Sequence, residues 1–155
     1  MGVRVKIRIR VGSREIITIA LVNSGFESTE PDIAIPVNVA ESLGIWPPRE
    51  FELEEATTAG GIAQLYVLRN VAEVSLILNS KEVSKKGCNL LINPHIDEVL
   101  LSDYMIDELG IIVVSFRKGL WRHVSDPENK VRAVSYTHLR AHETSLHLVC
   151  RLLLE

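Results

Sequence analysis

The stretch IALVNSGFES, Ile19 to Ser28, ends an apolar segment of the chain and begins a polar loop. Aliphatic residues before Asn23 are typical of a strand, whereas Asn-Ser-Gly is typical of a turn. Taken alone, Asn23, Ser24 and Gly25 are most simply explained as such a turn. The tripeptide nevertheless raises a question: what chemistry would this loop perform if Asn23 were an aspartate? The segments on either side of it bear on the answer.

The N-terminal segment predicts a hairpin that leads into this stretch. Five aliphatic residues alternate with four basic ones, which indicates a half-buried strand with a basic outer face: Val3, Val5, Ile7, Ile9 and Val11 against Arg4, Lys6, Arg8 and Arg10. We interpret the basic face as a solvated strand face rather than a binding patch. Gly12–Glu15 predicts a turn, and Ile16–Val22 predicts the second strand.

An irregular loop and two short helices are predicted farther along the chain. Residues 23–34 contain glycine and proline and are expected to form the loop. Pro36 suits the first turn of a helix, PVNVAESLG, which Gly44 ends. A second helix, SDYMIDELG, has Ser102 as its N-cap and Gly110 as its terminator.

The remaining segments predict further hairpins. Two strand-like arms surround Thr57–Gly61, and the paired glycines favour a mobile hairpin over residues 51–70. Strand-like segments also flank NSK and RKG, and a short apolar run, VLL, follows a loop at residues 93–98. The sequence therefore predicts a mainly β domain with two short helices.

Composition narrows the class of protein. The chain has 155 residues, which favours one domain, and its formal charge of -3 gives no electrostatic argument for a nucleic-acid or membrane partner. No apolar run reaches the roughly 18–20 residues that a membrane span requires. Two cysteines do not make a disulfide framework, so we expect a reducing, cytoplasmic setting.

The C-terminal segment, residues 134–155, resembles translated sequencing-adapter DNA. Val134 to Glu143 fit the codons of a transposase adapter, and HLVCRLLLE fits the next adapter segment in the same frame. An amphipathic helix is the alternative interpretation. We therefore place the domain at residues 1–133 and assign no function to the histidines and the cysteine of the tail, which are His138, His142, His147 and Cys150.

Several segments in order carry a resemblance to a known family. ALVNSGFE, IAIPVNVAESLGI, TTAGG and VLLSDYMIDELGIIVVSF together resemble a retropepsin-like aspartic protease subunit, in a divergent, archaeal-type branch. The resemblance extends from Ala20 to Phe116. It implies a closed β-barrel, the acid-protease half, with two short helices. It also implies a homodimer that acts as an endopeptidase on extended peptides, with no cofactor and no metal.

The resemblance implies roles for particular residues. Residue 23 is the position of the catalytic aspartate, Ser24 would hydrogen-bond across the dimer, and Gly25 would let the backbone approach the catalytic pair. Two such carboxylates share one proton, one acting as base to water and the other as acid to the scissile carbonyl. Substrate, bound as an added strand, would contact Phe26 and a flap that closes over it, formed by Thr57, Thr58, Ala59, Gly60 and Gly61.

The chain departs from the family pattern at two places. Asn23 stands where the aspartate belongs, and an amide cannot activate water, so we expect peptide binding with little or no hydrolysis. An engineered change, a natural non-catalytic relative and a sequencing error are the three explanations. The second departure is VLLSDY, where either Leu101 or Ser102 takes the place of a family glycine and Asp103 aligns with the family's acid. Leu100 to Asp103 would then support the catalytic pair.

Several candidate site residues also have a simpler, structural interpretation. Glu27 and Asp32 lie in the same loop as Asn23, but their spacing from Asn23 does not place either carboxylate at the catalytic position. Asp103 suits a helix start, where the macrodipole stabilises an acid. Cys88 is expected in the core, and His95, which has Asp97 and Glu98 nearby, is interpreted as part of a solvated loop rather than a metal site.

The alternative function is a non-enzymatic dimerisation or peptide-binding module built on the same fold. A third possibility is a small β-barrel binder unrelated to proteases, which a monomeric state would favour.

Overall fold

A computed structural model describes residues 2–23, 25–58 and 61–134. Its strands are β1 Val3–Val11, β2 Arg14–Val22, β3 Asp32–Ile35, β4 Glu52–Thr58, β5 Gly61–Leu78, β6 Lys81–Ile92, β7 Val99–Leu101, β8 Ile111–Ser115 and β9 Leu120–His123. Its helices are α1 Val37–Ser42 and α2 Asp103–Glu108. Apart from Val134, the tail assigned to adapter sequence lies outside the described residues.

Six strands close into a barrel in the order β1-β2-β7-β3-β6-β5. The second half of β5 completes the circle by pairing with β1, from Ile7 opposite Leu76 to Arg10 opposite Glu73. Closure leaves these six strands without an open edge along the paired segments. The predicted fold class, a mainly β protein with a closed β-barrel and two short helices, is confirmed.

The barrel interior is filled by the aliphatic residues of the alternating strands. The inward side chains of β1 are at most 1 % exposed, and β3 and β6 add fully buried isoleucine and leucine: Val3, Val5, Ile7, Ile9, Ile33, Ile35, Leu90 and Ile92. Met105 and Leu109 extend the same core from the second helical segment. Burying each large aliphatic side chain contributes about 1.5–3 kcal/mol, so this core is the main source of stability.

The predicted hairpins and helices are found near their predicted positions. β1 and β2 are joined at Gly12–Ser13, so the turn is two residues shorter than predicted. β5 and β6 are joined at Asn79 and Ser80, which both have positive φ, as a two-residue type I′ turn requires. In α2, the Ser102 side chain accepts a hydrogen bond from the Met105 N–H, which confirms the predicted N-cap.

Two predictions about strands were wrong. The end of the predicted loop at residues 23–34 is strand β3, which lies between β6 and β7. Since most of its side chains are buried, β3 lacks the polar–apolar alternation that marks a half-exposed strand. β5 is one strand of 18 residues rather than two segments that meet at Asn70. The ladder is irregular there, and the Asn89 side chain accepts the Asn70 N–H at 2.9 Å, which lets the strand continue.

The basic outer face of β1 carries ion pairs. Arg8 pairs with Glu15 and Glu82, and Arg10 pairs with Glu15, Glu73 and Glu82. This face is therefore half-buried and charge-compensated rather than simply solvated. No helix within the described ranges is long and apolar enough to cross a membrane.

Candidate functional site

The loop after β2 and the start of α2 are brought together by the position of β7. β7 lies between β2 and β3, and it pairs in parallel with β2 and antiparallel with β3. Leu101 is therefore opposite both Val22 and Ile33. Because β2 and β7 run in the same direction and end at the same level, Asn23 and Ser102 follow neighbouring strand ends.

The Asn23 side chain closes the turn at the end of β2. Its Oδ1 accepts the backbone N–H of Gly25 at 3.0 Å, and its carbonyl oxygen accepts the N–H of Phe26 at 3.1 Å. A Cβ atom at Gly25 would lie 3.3 Å from Asn23 Oδ1, closer than such contacts usually are. Glycine at this position therefore lets the backbone approach residue 23. An aspartate has an oxygen at the same place and could accept the same bond.

The segment 100–103 supports this loop from the neighbouring strand. Leu100 is half-buried on the outer side of the sheet, whereas Leu101 and Ser102 are completely buried. The Ser102 N–H donates to the carbonyl oxygen of Asp32 at 3.3 Å. Asp103 Oδ1 accepts the N–H of Ser28 at 2.9 Å and that of Tyr104 at 2.8 Å. Asp103 therefore fixes the loop to the start of α2.

A cleft of about 730 Å³ separates this loop from the β4–β5 hairpin. The loop contributes residues 25–30 and Asp32 to one wall, and β4 contributes residues 54–57 to the other. Leu65, Arg69, Leu91 and Asp103 complete the lining. Among the described residues β4 pairs with β5 alone, so its other edge is open to a further strand.

An apolar cluster on the outer side of the barrel forms part of this region. Its buried members come from β3, β5 and β6: Ala34, Leu65, Val67 and Leu91. Partly buried residues of four other segments pack against them: Phe26 of the loop, Ala56 of β4, Ile96 of the segment between β6 and β7, and Leu100 of β7. Phe26, Ala56, Leu65 and Leu91 also line the cleft. The cleft therefore combines an apolar surface with polar walls.

Arg69 links the two walls of the cleft. Its guanidinium lies 2.9 Å from Glu30 on the loop, 2.8 Å from Glu52 and 3.3 Å from Glu54, both on β4. These carboxylates raise the pKa of Arg69, mainly through the hydrogen bond that Arg69 donates to Glu52, and Arg69 in turn lowers the pKa of Glu52. Asn89 donates to Glu30 and to Asp32, which extends the network along the loop.

Most of the predicted site residues that are described lie in one region. Gly25, Phe26, Thr57 and Asp103 line the cleft. Asn23 lies two residues before Gly25, the first lining residue of the loop, and Gly61 is the first residue of β5, with a φ of 121°. Leu101 and Ser102 are buried beside the loop rather than in the cleft. Ser24, Ala59 and Gly60, as well as the side chain of Thr58, are outside the described part of the structure.

The sequence interpretation missed Arg69 and the glutamates of β4. Arg69 follows an apolar segment, and nothing in the sequence places it beside Glu30. Cross-strand register and the fold of the loop bring the three carboxylates to it, and neither is visible in a local pattern.

Metal-binding geometry is absent from the residues that the structure describes, since no three His, Cys, Asp or Glu side chains group closely enough. Glu98, named with His95 in the sequence interpretation, pairs instead with Arg4 at 3.0 Å. No protein-family model matches the sequence, and no curated protein matches it.

Proposed function

We propose that the chain is a retropepsin-like aspartic endopeptidase subunit that forms a homodimer, binds extended peptides and hydrolyses them weakly or not at all. The observation that carries the proposal is the cleft between the β4–β5 hairpin and the loop after Asn23. We assign the hairpin as the flap because it faces the loop across the cleft, and we assign residue 23, at which the loop begins, as the catalytic position. The edge of β4 that pairs with no strand in the described part of the chain suits a ligand that adds to the sheet as a strand.

Catalysis in this proposal depends on the residue at position 23. In a homodimer the two copies of residue 23 would flank one water. Two aspartates in that position would share a proton, since two close carboxylates cannot both ionise readily. One would then take a proton from water while the other donated one to the peptide carbonyl. Two asparagines can do neither, because an amide is too weak an acid and too weak a base to transfer a proton at working pH.

Support for a latent catalytic site comes from the surroundings of Asn23. The Gly25 N–H that Asn23 Oδ1 accepts would serve a carboxylate oxygen equally, and the close approach of Gly25 suits either side chain. Replacing Asn23 by aspartate therefore adds the proton chemistry without a new steric demand. Asn23 itself favours the second candidate, a peptide-binding module that never cleaves.

The decisive experiment is the substitution Asn23→Asp, assayed on an unstructured peptide library near pH 4–6. The expected result is acid-range cleavage that a statine-type inhibitor blocks, by a protein that sediments as a dimer. Asn38→Asp is the matched control, because it makes the same amide-to-acid change on an exposed residue of α1. Mass spectrometry of the unmodified protein must accompany the assay, since Asn-Ser can deamidate to aspartate.

Two results would count against the catalytic proposal. If the Asn23→Asp protein is folded and dimeric but cleaves no peptide, the latent endopeptidase is excluded and the peptide-binding module remains. A protein that stays monomeric at assay concentrations cannot assemble the pair of acids, and would favour a β-barrel binder of another kind.

A further inference from the structure

The walls of the cleft are strongly acidic. Its lining contains six carboxylates and one guanidinium, that of Arg69. Arg69 is already committed to Glu30 and Glu54, and Asp103 accepts two backbone hydrogen bonds. The positive charge of Arg69 is therefore already paired with glutamates of the site. The remaining carboxylates give the cleft a net negative potential.

Two of these carboxylates form no hydrogen bond or ion pair with another described residue. Glu27 lies on the loop wall and Glu55 on the β4 wall, and both are exposed. No hydrogen bond or ion pair to either side chain is found within the described residues. Each wall of the cleft therefore has one carboxylate, Glu27 or Glu55, that is available to form an ion pair with a ligand.

The rest of the cleft fits an extended peptide. One edge of β4 pairs with no other described residue, and an added strand would place its side chains alternately toward the sheet and away from it. Phe26, Ala56 and Leu65 supply an apolar surface for a side chain that faces inward. A ligand that satisfies both features has an apolar residue with basic residues near it.

We infer that the cleft selects extended peptides in which lysine or arginine flanks an apolar residue, and that Glu27 and Glu55 determine this preference. The inference rests on the proposed function, since it assigns a substrate class to the same cleft. Basic side chains of the ligand pair with the two carboxylates while its backbone pairs with β4. The effect is electrostatic, and it weakens as salt shortens the screening length.

The test compares three labelled peptides that share an apolar centre and carry lysine, glutamine or glutamate on both sides of it. Fluorescence anisotropy measures their affinity for the full-length protein from about 20 to about 200 mM salt. Two exposed charge pairs should make the lysine peptide bind about five- to tenfold more tightly than the glutamine peptide at low salt. The glutamate peptide should bind least tightly.

Substitutions of Glu27 and Glu55 test whether these two carboxylates cause the preference for the lysine peptide. Glu27→Gln combined with Glu55→Gln should remove the advantage of the lysine peptide. Glu41→Gln combined with Glu128→Gln is the matched control, because it changes the net charge equally at two exposed sites outside the cleft and should preserve the advantage. Circular dichroism establishes that each variant is folded.

The outcomes separate this inference from the proposed function. Equal affinity for the three peptides in unmodified protein overturns the charge preference and leaves peptide binding intact. A preference that persists in the Glu27/Glu55 variant, or disappears equally in the control, also overturns the inference. Failure of folded protein to bind any of the three peptides overturns the inference and the proposed function together.

Discussion

The backbone N–H of Asp103 donates a hydrogen bond of 2.9 Å to the carbonyl oxygen of Phe26. The two residues are distant in the chain, yet this bond joins the first residue of α2 to the loop that follows Asn23. The Asp103 carboxylate adds a second link through the N–H of Ser28. The orientation of the loop, and with it the position of residue 23, therefore depends on the end of β7.

Removing the Asp103 carboxylate should loosen this loop. Asp103→Ala leaves the half-buried N–H groups of Ser28 and Tyr104 without their acceptor, which should lower the free energy of unfolding by about 1–2 kcal/mol. Asp103→Asn keeps an oxygen acceptor and should cost less. Urea unfolding measures the free energy, and hydrogen exchange of the Ser28 amide measures the local effect. Asp107→Ala, at an exposed residue of the same helix, is the control. If both alanine variants lowered the free energy of unfolding equally, the Asp103 carboxylate would not be what holds the loop.

Local patterns predict the parts of this fold that local interactions build. Residues adjacent in sequence form the β1–β2 and β5–β6 hairpins, so the alternation of β1 and the Asn79–Ser80 turn were sufficient to find them. The Ser102 cap was likewise visible because its acceptor and donor lie in one helical turn.

Long-range pairing explains what local patterns could not predict. β3 has four mostly buried residues and exists because β6 and β7 cover its two edges. The same insertion of β7 decides that Leu101 and Ser102 lie beside the loop after Asn23. The resemblance named these residues together, but only pairing between distant strands places them there. The carboxylates around Arg69 depend on strand register in the same way.

The ion pairs of Glu82 should give the protein a distinct acid sensitivity. Bonds from Arg10, and then from Ser75, lower the pKa of Glu82 from 4.5 to about 2. Its oxygens accept from Arg10 at 2.8 and 2.9 Å and from Ser75 at 2.7 Å. Because the folded state binds this proton less readily than the unfolded state, the stabilisation is complete above about pH 4.5 and is lost as the pH falls toward 2.

Glu82→Gln should therefore destabilise the protein most at neutral pH. The difference between the urea midpoints of unmodified protein and variant should be largest above about pH 5 and should shrink toward pH 2. Glu128→Gln, at an exposed residue without an ion pair among the described residues, should show a small difference at every pH. If the difference in urea midpoint caused by Glu82→Gln stayed constant over this pH range, the lowered pKa of Glu82 would not contribute to stability.

Cys88 should be chemically inert in the folded protein. The thiol is completely buried, and burial, followed by the negative charge of Asp32, raises its pKa to about 12. The reactive thiolate is therefore scarce at pH 8, and reagent cannot reach it. In a Cys150→Ser variant, which removes the cysteine of the tail, we expect no rapid reaction with a disulfide reagent until urea unfolds the protein. Rapid labelling of this variant in native buffer would show that β6 opens easily.

Arg69 should control the motion of the β4–β5 hairpin more than overall stability. It joins Glu52 and Glu54 on β4 to Glu30 on the opposite wall, but the group is exposed, and exposed ion pairs add little to the free energy of unfolding. Arg69→Met keeps much of the apolar stem and should speed hydrogen exchange in residues 52–58 several-fold while the urea midpoint changes little. Arg69→Lys, which keeps the charge but lacks the planar fork, should give an intermediate rate. Exchange in β1 provides the internal control and should not change. If Arg69→Met left exchange in β4 unaltered, Arg69 would not be the link between the two walls.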